Sequence, residues 1–186
     1  QKDYFVKKAD GSLFVGAVWP GRACFPDFLR EDVRQWFGAK YHQLMDTGIE
    51  GFWNDMNEPA LVYSTDSLEN AFETAEKMRH ENLGIDGAFK LKAAFVNIAN
   101  NAEDYRRFYH TVDGQPVRHD KVHNLYGAMM TKSAAEGFRS YNPNRRYLLF
   151  SRSSFIGAHR DGGVWQGDNS SWWSHLLLNL KMMPSL

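Results

Sequence analysis

The stretch Ile49-Glu50-Gly51-Phe52-Trp53-Asn54-Asp55-Met56-Asn57-Glu58-Pro59 decides the fold. Its first half, 49–53, reads as a short strand. Its second half is a polar cluster closed by a proline. A capped turn, with Asp55 or Asn57 satisfying backbone N–H groups, would explain one polar residue after a strand. It does not explain an indole followed by four polar groups in five positions. In parallel α/β folds, strands deliver such groups to a ligand rim at their carboxyl ends.

Working outward, residues 31–47 form the pattern of an amphipathic helix. Val33, Trp36, Phe37, Tyr41, Leu44 and Met45 share one face, and Gly48 stands where a left-handed cap would end it. Upstream, Tyr4-Phe5-Val6 and Leu13-Phe14-Val15 flank Asp10-Gly11, which predicts a hairpin. Val18-Trp19-Pro20-Gly21 then punctuates the strand. Downstream, residues 60–118 are too long for an ordinary connection and read as an inserted excursion or long loop with its own helices. A second helix starts at Asp120, with Val122, Leu125, Tyr126, Met129, Met130 and Phe138 on its buried face, and ends at Asn142-Pro143. Tyr147–Phe150 is a buried strand, 151–163 a loop, 164–166 a short strand and 171–182 a helix. Alternating strands and helices predict an α/β fold with a parallel sheet and helical crossovers. No glycine-rich phosphate fingerprint follows any strand.

A second polar cluster is Trp165-Gln166-Gly167-Asp168-Asn169-Ser170-Ser171. It reads equally as the N-cap of the last helix or as a set of ligand-facing groups. Together the clusters bring two carboxylates from two strand ends, the minimal equipment for glycoside hydrolysis. Trp53 and Trp165 offer flat walls to sugar C–H faces. Arg152, directly after a buried strand, reads either as a structural ion pair or as a cation that binds hydroxyls or holds a carboxylate ionised.

The composition excludes several classes. Lys+Arg and Asp+Glu both number 22, so no basic excess points to nucleic acid. No apolar run approaches the ~18 residues of a membrane helix. A single cysteine, Cys24, excludes an internal disulfide and a cysteine-based zinc site. His119 and His123 have the i, i+4 spacing of zinc ligands, with His110 and His159 as further candidates. No third ligand has diagnostic spacing, so two ordinary histidines near a helix start are preferred. Asp55, Asn57 and Glu58 make a poor oxygen cage for Mg²⁺ or Ca²⁺ beside Met56 and Trp53. No metal and no cofactor is expected. The aromatic content of 15% exceeds what the core alone suggests at Trp53 and Trp165. The chain opens on Gln1 without an initiator Met, so an excised piece of a larger protein is expected. The sequence fixes no compartment; a soluble, cytoplasmic one is favoured.

At these residues the sequence resembles glycoside hydrolase family 31, the α-glucosidase and sucrase–isomaltase family. Trp53 to Pro59 resembles its nucleophile signature, and Gly167-Asp168-Asn169, with Trp165 before and Trp173 after, its acid/base signature. Val18-Trp19-Pro20-Gly21 with Phe25-Pro26-Asp27, His123-Asn124-Leu125-Tyr126-Gly127, and Arg152-Ser153-Ser154-Phe155 with Gly162-Gly163 complete five blocks in the family's order. The resemblance implies that residues 1–186 are the central part of a (β/α)8 TIM barrel, with an excursion at 60–118 after the nucleophile strand. It implies a retaining exo-α-glycosidase, first of all an α-glucosidase, with no cofactor. Asp55 would be the nucleophile and Asp168 the general acid and base. Trp53, Met56, Arg152 and Trp165 would line the sugar subsite, with Asn57, Glu58 and Asn169 behind them. An α-xylosidase, a transglycosylase, an α-glucan lyase or an inactive carbohydrate-binding homologue would share these blocks. The implied partners are an oligosaccharide or α-glucoside, the rest of the barrel and flanking β domains. The family's further site residues, an Asp from an earlier strand and a His from a later one, are absent from this chain.

Overall fold

A computed structural model describes residues 3–185. In chain order its elements are β1 (Lys7–Lys8), β2 (Val15–Val18), β3 (Gly21–Cys24), α1 (Glu31–Gly38), α2 (His42–Met45), β4 (Gly51–Asn54), β5 (Tyr63–Ser64), α3 (Thr65–Met78), α4 (Gly84–Val96), β6 (Phe108–Val112), β7 (Gln115–Arg118), α5 (His119–Tyr141), β8 (Leu148–Ser151), β9 (Gly163–Val164) and α6 (Trp173–Met182). They form two compact units. The first holds the chain up to Pro26, Ala60–His110 and Gly114–Lys121; the second holds Asp27–Pro59, Thr111–Asp113 and the chain from Val122 onward.

The first unit carries two small sheets, ordered β1-β6-β7 and β3-β2-β5. The expected hairpin at Asp10-Gly11 is present: Gly11 has a φ of 81°, and the Lys8 N–H bonds to the Ser12 carbonyl at 2.8 Å. Val18-Trp19-Pro20-Gly21, expected as a strand end, is the turn of a second hairpin, in which β2 pairs with β3 from Val15↔Cys24 to Val18↔Gly21. Phe14 stacks on Phe108 with ring centroids 4.4 Å apart, and with Val6 these rings make a dry centre. Residues 60–118 contain two helices of their own. The first, α3, starts on a capping box: Ser64 Oγ accepts from the Ser67 N–H, and the Ser64 N–H donates to Ser67 Oγ, both at 3.0 Å.

In the second unit β4 runs parallel to β8, from Gly51↔Leu148 to Asn54↔Ser151, and β8 runs parallel to β9. The strand order is β4-β8-β9. Side chains alternate along each strand. Phe52 and Leu149 point to one face and are buried with Met45, Ala134 and Phe138. Burial of each of the larger side chains among them contributes roughly 1.5–3 kcal/mol. Gly51, Trp53, Leu148 and Phe150 occupy the other, exposed face.

The helix expected over 31–47 is broken: α1 ends at Gly38, a 3-10 turn covers Ala39–Tyr41, and α2 follows. The break lies where α1 meets α5 backbone to backbone. A Cβ on Gly38 would sit 2.4 Å from the Ser133 carbonyl oxygen. Gly48 ends the segment as expected, with a φ of 91° and its N–H on the Met45 carbonyl at 3.0 Å. Helix α5 stops before Asn142-Pro143. Of its expected inner face, Tyr126 and Phe138 are buried, while Val122, Leu125, Met129 and Met130 are half-buried. Small residues are buried along the same helix as well: Gly127, Ala128, Ala134, Ala135 and Gly137.

Candidate active site

Every predicted site residue lies at the carboxyl ends of β4, β8 and β9 in the second unit. At the end of β4 the inward face is spent on structure. The Tyr41 hydroxyl donates to Asn54 Oδ1 at 2.7 Å, and burial pushes the Tyr41 phenol up to about 12. The opposite face carries Trp53, which is 62% exposed, and the chain then turns at Asp55 and Met56. Met56 has a φ of 56°, in the left-handed region. That turn brings the Met56 N–H onto Asp55 Oδ1 at 2.7 Å.

Asn57 is buried and joins two strand ends. Its Nδ2 donates to Ser151 Oγ at 2.8 Å and to the Gly127 carbonyl at 3.4 Å, and its Oδ1 accepts from the Ser153 N–H at 2.9 Å. Gly127 is required there, because a Cβ would lie 2.8 Å from the Asn57 carbonyl oxygen. The amide thus fixes the loop after β4 against the loop after β8.

Arg152, the first residue after β8, gathers the charges. Its Nε and Nη2 donate to the two carboxylate oxygens of Glu58 at 2.7 and 2.9 Å. Its Nη1 lies 3.2 Å from Asp55 Oδ1 and 3.9 Å from Asp168 Oδ2. The Glu58 hydrogen bonds, and then the charges of Glu58, Asp55 and Asp168, hold the guanidinium above its ordinary value. Arg152 is a permanent cation with a planar fork, so one residue can serve three carboxylates.

Of the two readings open for Asp168 to Ser171, the helix cap does not form. The N-cap of α6 is Trp172 and makes no side-chain cap. Asp168 and Asn169 are both exposed, the Asp168 side chain 92% so, and Asp168 is therefore free for other work. The tryptophans are not parallel walls. Trp53 and Trp165 meet edge to face, with centroids 4.9 Å apart and planes at 70°. With Phe150 they line an apolar recess of about 410 Å³. Met56 is half-buried beside it in sequence.

The histidines divide. His119 is buried in the first unit, where its Nδ1 lies 2.8 Å from His110 Nε2, so the pair of nitrogens facing each other is mutually engaged. His123, half-buried on α5, is held below its ordinary value by burial, with the charge of Glu58 opposing. Sequence reasoning preferred an ordinary histidine at His123 over a zinc ligand but missed its place beside Glu58; the Phe150 side of the recess was missed as well. Among the described residues no group of three His, Cys, Asp or Glu side chains gathers to hold a metal, and no helix is long and apolar enough to cross a membrane.

The entire chain, residues 1–186, matches the family described as glycosyl hydrolases family 31 TIM-barrel domain. It is 35% identical over 184 residues to alpha-glucosidase 2 of Bacillus thermoamyloliquefaciens, covering 99% of this chain and 19% of that protein. It is 32% identical to an alpha-glucosidase of Saccharolobus solfataricus, covering 98% of this chain and 24% of the relative. Among solved structures it resembles a family 31 dextranase of Flavobacterium johnsoniae complexed with glucose, with a TM-score of 0.62 at 25% identity over 90% of this chain and 16% of that one. It also resembles a glucosidase II alpha subunit, with a TM-score of 0.61 at 27% identity, over 94% of this chain and 15% of the other. The chain thus spans about a fifth to a quarter of the length of these curated relatives. The parallel strands β4, β8 and β9 and the end-to-end match agree on one conclusion: the chain belongs to glycosyl hydrolase family 31, as a segment of its (β/α)8 barrel.

Proposed function

We propose that the enzyme containing this segment is a retaining exo-α-glycosidase that removes terminal α-linked glucose. The observation that carries the proposal is the single guanidinium of Arg152 lying within 4 Å of both Asp55 and Asp168. Two carboxylates from different strand ends, one attacking and one donating a proton, are what double displacement needs. Relatives named alpha-glucosidases support glucose as the sugar.

In the first step a carboxylate oxygen of Asp55 attacks the anomeric carbon. The Met56 N–H and the closest approach of Arg152 both fall on Oδ1, which leaves Oδ2 as the attacking atom. The glycosidic C–O bond breaks as Asp168 gives its proton to the leaving oxygen. In the second step Asp168 takes a proton from water, the water oxygen bonds to the anomeric carbon, and the ester to Asp55 breaks. The Trp53–Phe150–Trp165 recess supplies an apolar surface for the sugar's C–H face, Arg152 lies over the Trp165 ring, and Met56 follows Asp55 in the turn after β4. Asn57 and Glu58 hold the rim from behind, and Asn169 follows Asp168 on the exposed loop. The rest of the barrel and flanking β domains complete the site, and no cofactor takes part. An α-xylosidase, a transglycosylase or an α-glucan lyase would use the same two carboxylates.

The test uses the full-length enzyme on an aryl α-glucoside. Asp55→Ala abolishes turnover. Asp168→Ala is rescued by azide, giving the α-glycosyl azide with retained configuration. Substantial turnover by Asp55→Ala, or a β-configured azide product, overturns the reading.

A further inference from the structure

The tightest contacts of Arg152 go to neither of the proposed catalytic carboxylates. The Nε–Nη2 edge of its fork is filled by Glu58 in a bidentate pair, and Nη1 alone is left toward Asp55 and Asp168. That division has an electrostatic consequence. An uncompensated cation within 4 Å of two carboxylates favours the ionised form of both. Double displacement needs them in opposite states, Asp55 ionised and Asp168 carrying a proton. A second negative charge on the far edge of the guanidinium cancels much of its field at the near edge.

We propose that Glu58 is a positioning residue that, acting through Arg152, sets the pH range in which Asp168 keeps its proton and the pair can work. The inference rests on the catalytic assignment of Asp55 and Asp168 above. Three features of the site support it. The bidentate geometry fixes where the guanidinium charge sits. Arg152 cannot discharge itself by losing its proton. Among the described residues, the charged and titratable groups that bear on the cluster are Asp55 and Glu58 from the loop after β4, Asp168 from the loop after β9, and His123 from α5 beside Glu58. Burial keeps His123 toward its neutral form, so it does not cancel the Glu58 charge at neutral pH.

The experiment is a kcat/KM–pH profile of the full-length enzyme on an aryl α-glucoside. Glu58→Gln keeps the size and one acceptor but removes the charge. Both limbs of its profile are expected to move to lower pH, by about half a unit to one unit. Glu58→Asp keeps the charge, so its limbs stay in place while kcat falls. If Glu58→Gln lowers activity equally at every pH, Glu58 is merely structural and the proposal is wrong. Should Glu58→Gln fail to fold, Arg152→Gln is compared with the double variant Arg152→Gln/Glu58→Gln. The single variant leaves Glu58 uncompensated and shifts the limbs upward; the double variant brings them back down. Limbs at the same pH in both variants overturn the proposal. The underlying assignment is checked separately, because Asp168→Ala must abolish the basic limb. If that limb persists, the site reading has failed rather than the role of Glu58.

Discussion

At the scale of the residue, Asn57 shows what a motif conceals. The cluster from Asn54 to Glu58 was legible as a functional rim because polar groups crowded the end of a strand. The resemblance placed Asn57 behind the subsite, but the contacts that hold it there were not legible. Asn57 is a buried strut whose partners, Ser151 and Ser153, lie on another strand end far along the chain. No local spacing encodes such a pairing. The same holds for Asp168, where sequence left a helix cap and a ligand-facing role open. It took the backbone of Trp172 at the N-cap to remove the first. Asn57→Ala leaves the Ser153 N–H without its acceptor and Ser151 Oγ without its donor. A loss of about 1–3 kcal/mol of stability is expected. It should be read as a lower unfolding midpoint of the full-length enzyme. Activity falls as the two loops part, but the limbs of the pH profile stay where they are, because no charge is changed. A profile displaced like that expected of Glu58→Gln would contradict the strut role.

At the scale of the element, small residues account for what periodicity misplaced. The apolar face from Val33 to Met45 implied one continuous helix. The chain instead tightens after Gly38, where α1 and α5 approach backbone to backbone. Large apolar residues announce a buried face, but a close crossing is marked by the absence of a side chain, and a hydrophobic pattern is blind to that. Gly137 is the complementary partner. A Cβ there would lie 2.3 Å from the Gly38 carbonyl oxygen and 2.6 Å from its carbon. Both are backbone atoms and cannot rotate away. The Gly137 carbonyl also meets His42 Nε2 at 3.0 Å, so displacing α5 breaks a further contact. Gly137→Ala is better than glycine for a helix in isolation, by about 1 kcal/mol. Overpacking at the crossing costs about 1–3 kcal/mol and wins. The expected result is a less stable enzyme, measured by denaturant midpoint, and a gain in stability would show that the helices separate freely. The helices α3 and α4 were not located for a different reason. In α4, Ile85, Phe89 and Val96 are exposed, so its pattern did not announce a buried face.

At the scale of the whole molecule, the surface of each unit shows what this segment needs from the rest of its enzyme. In the second unit Trp53, Leu148 and Phe150 stand 41–62% exposed on one face of the β4-β8-β9 sheet, and Leu176, Leu177, Leu178 and Leu180 of α6 are 48–59% exposed. In a closed barrel the equivalent face of each strand is packed by the other strands. Apolar area on this scale marks an interaction surface or an aggregation liability in any chain that presents it to water. The family match places this segment within a longer barrel, and the relatives are about four to five times its length. The 186 residues produced alone are therefore expected to bind an apolar dye, to self-associate on size-exclusion chromatography, and to show no turnover of an aryl α-glucoside. Both proposed catalytic carboxylates are present, so loss of that pair is not the reason for this inactivity. It follows from the support behind them: the strands that carry Asp55 and Asp168 have one face covered and one bare, and a rim on such strands is not held to the tolerance that catalysis requires. Supplying the remainder of the enzyme as a separate chain should suppress dye binding and restore activity together. Recovery of activity while the dye still binds would separate the site from the sheet face beneath it and refute this account.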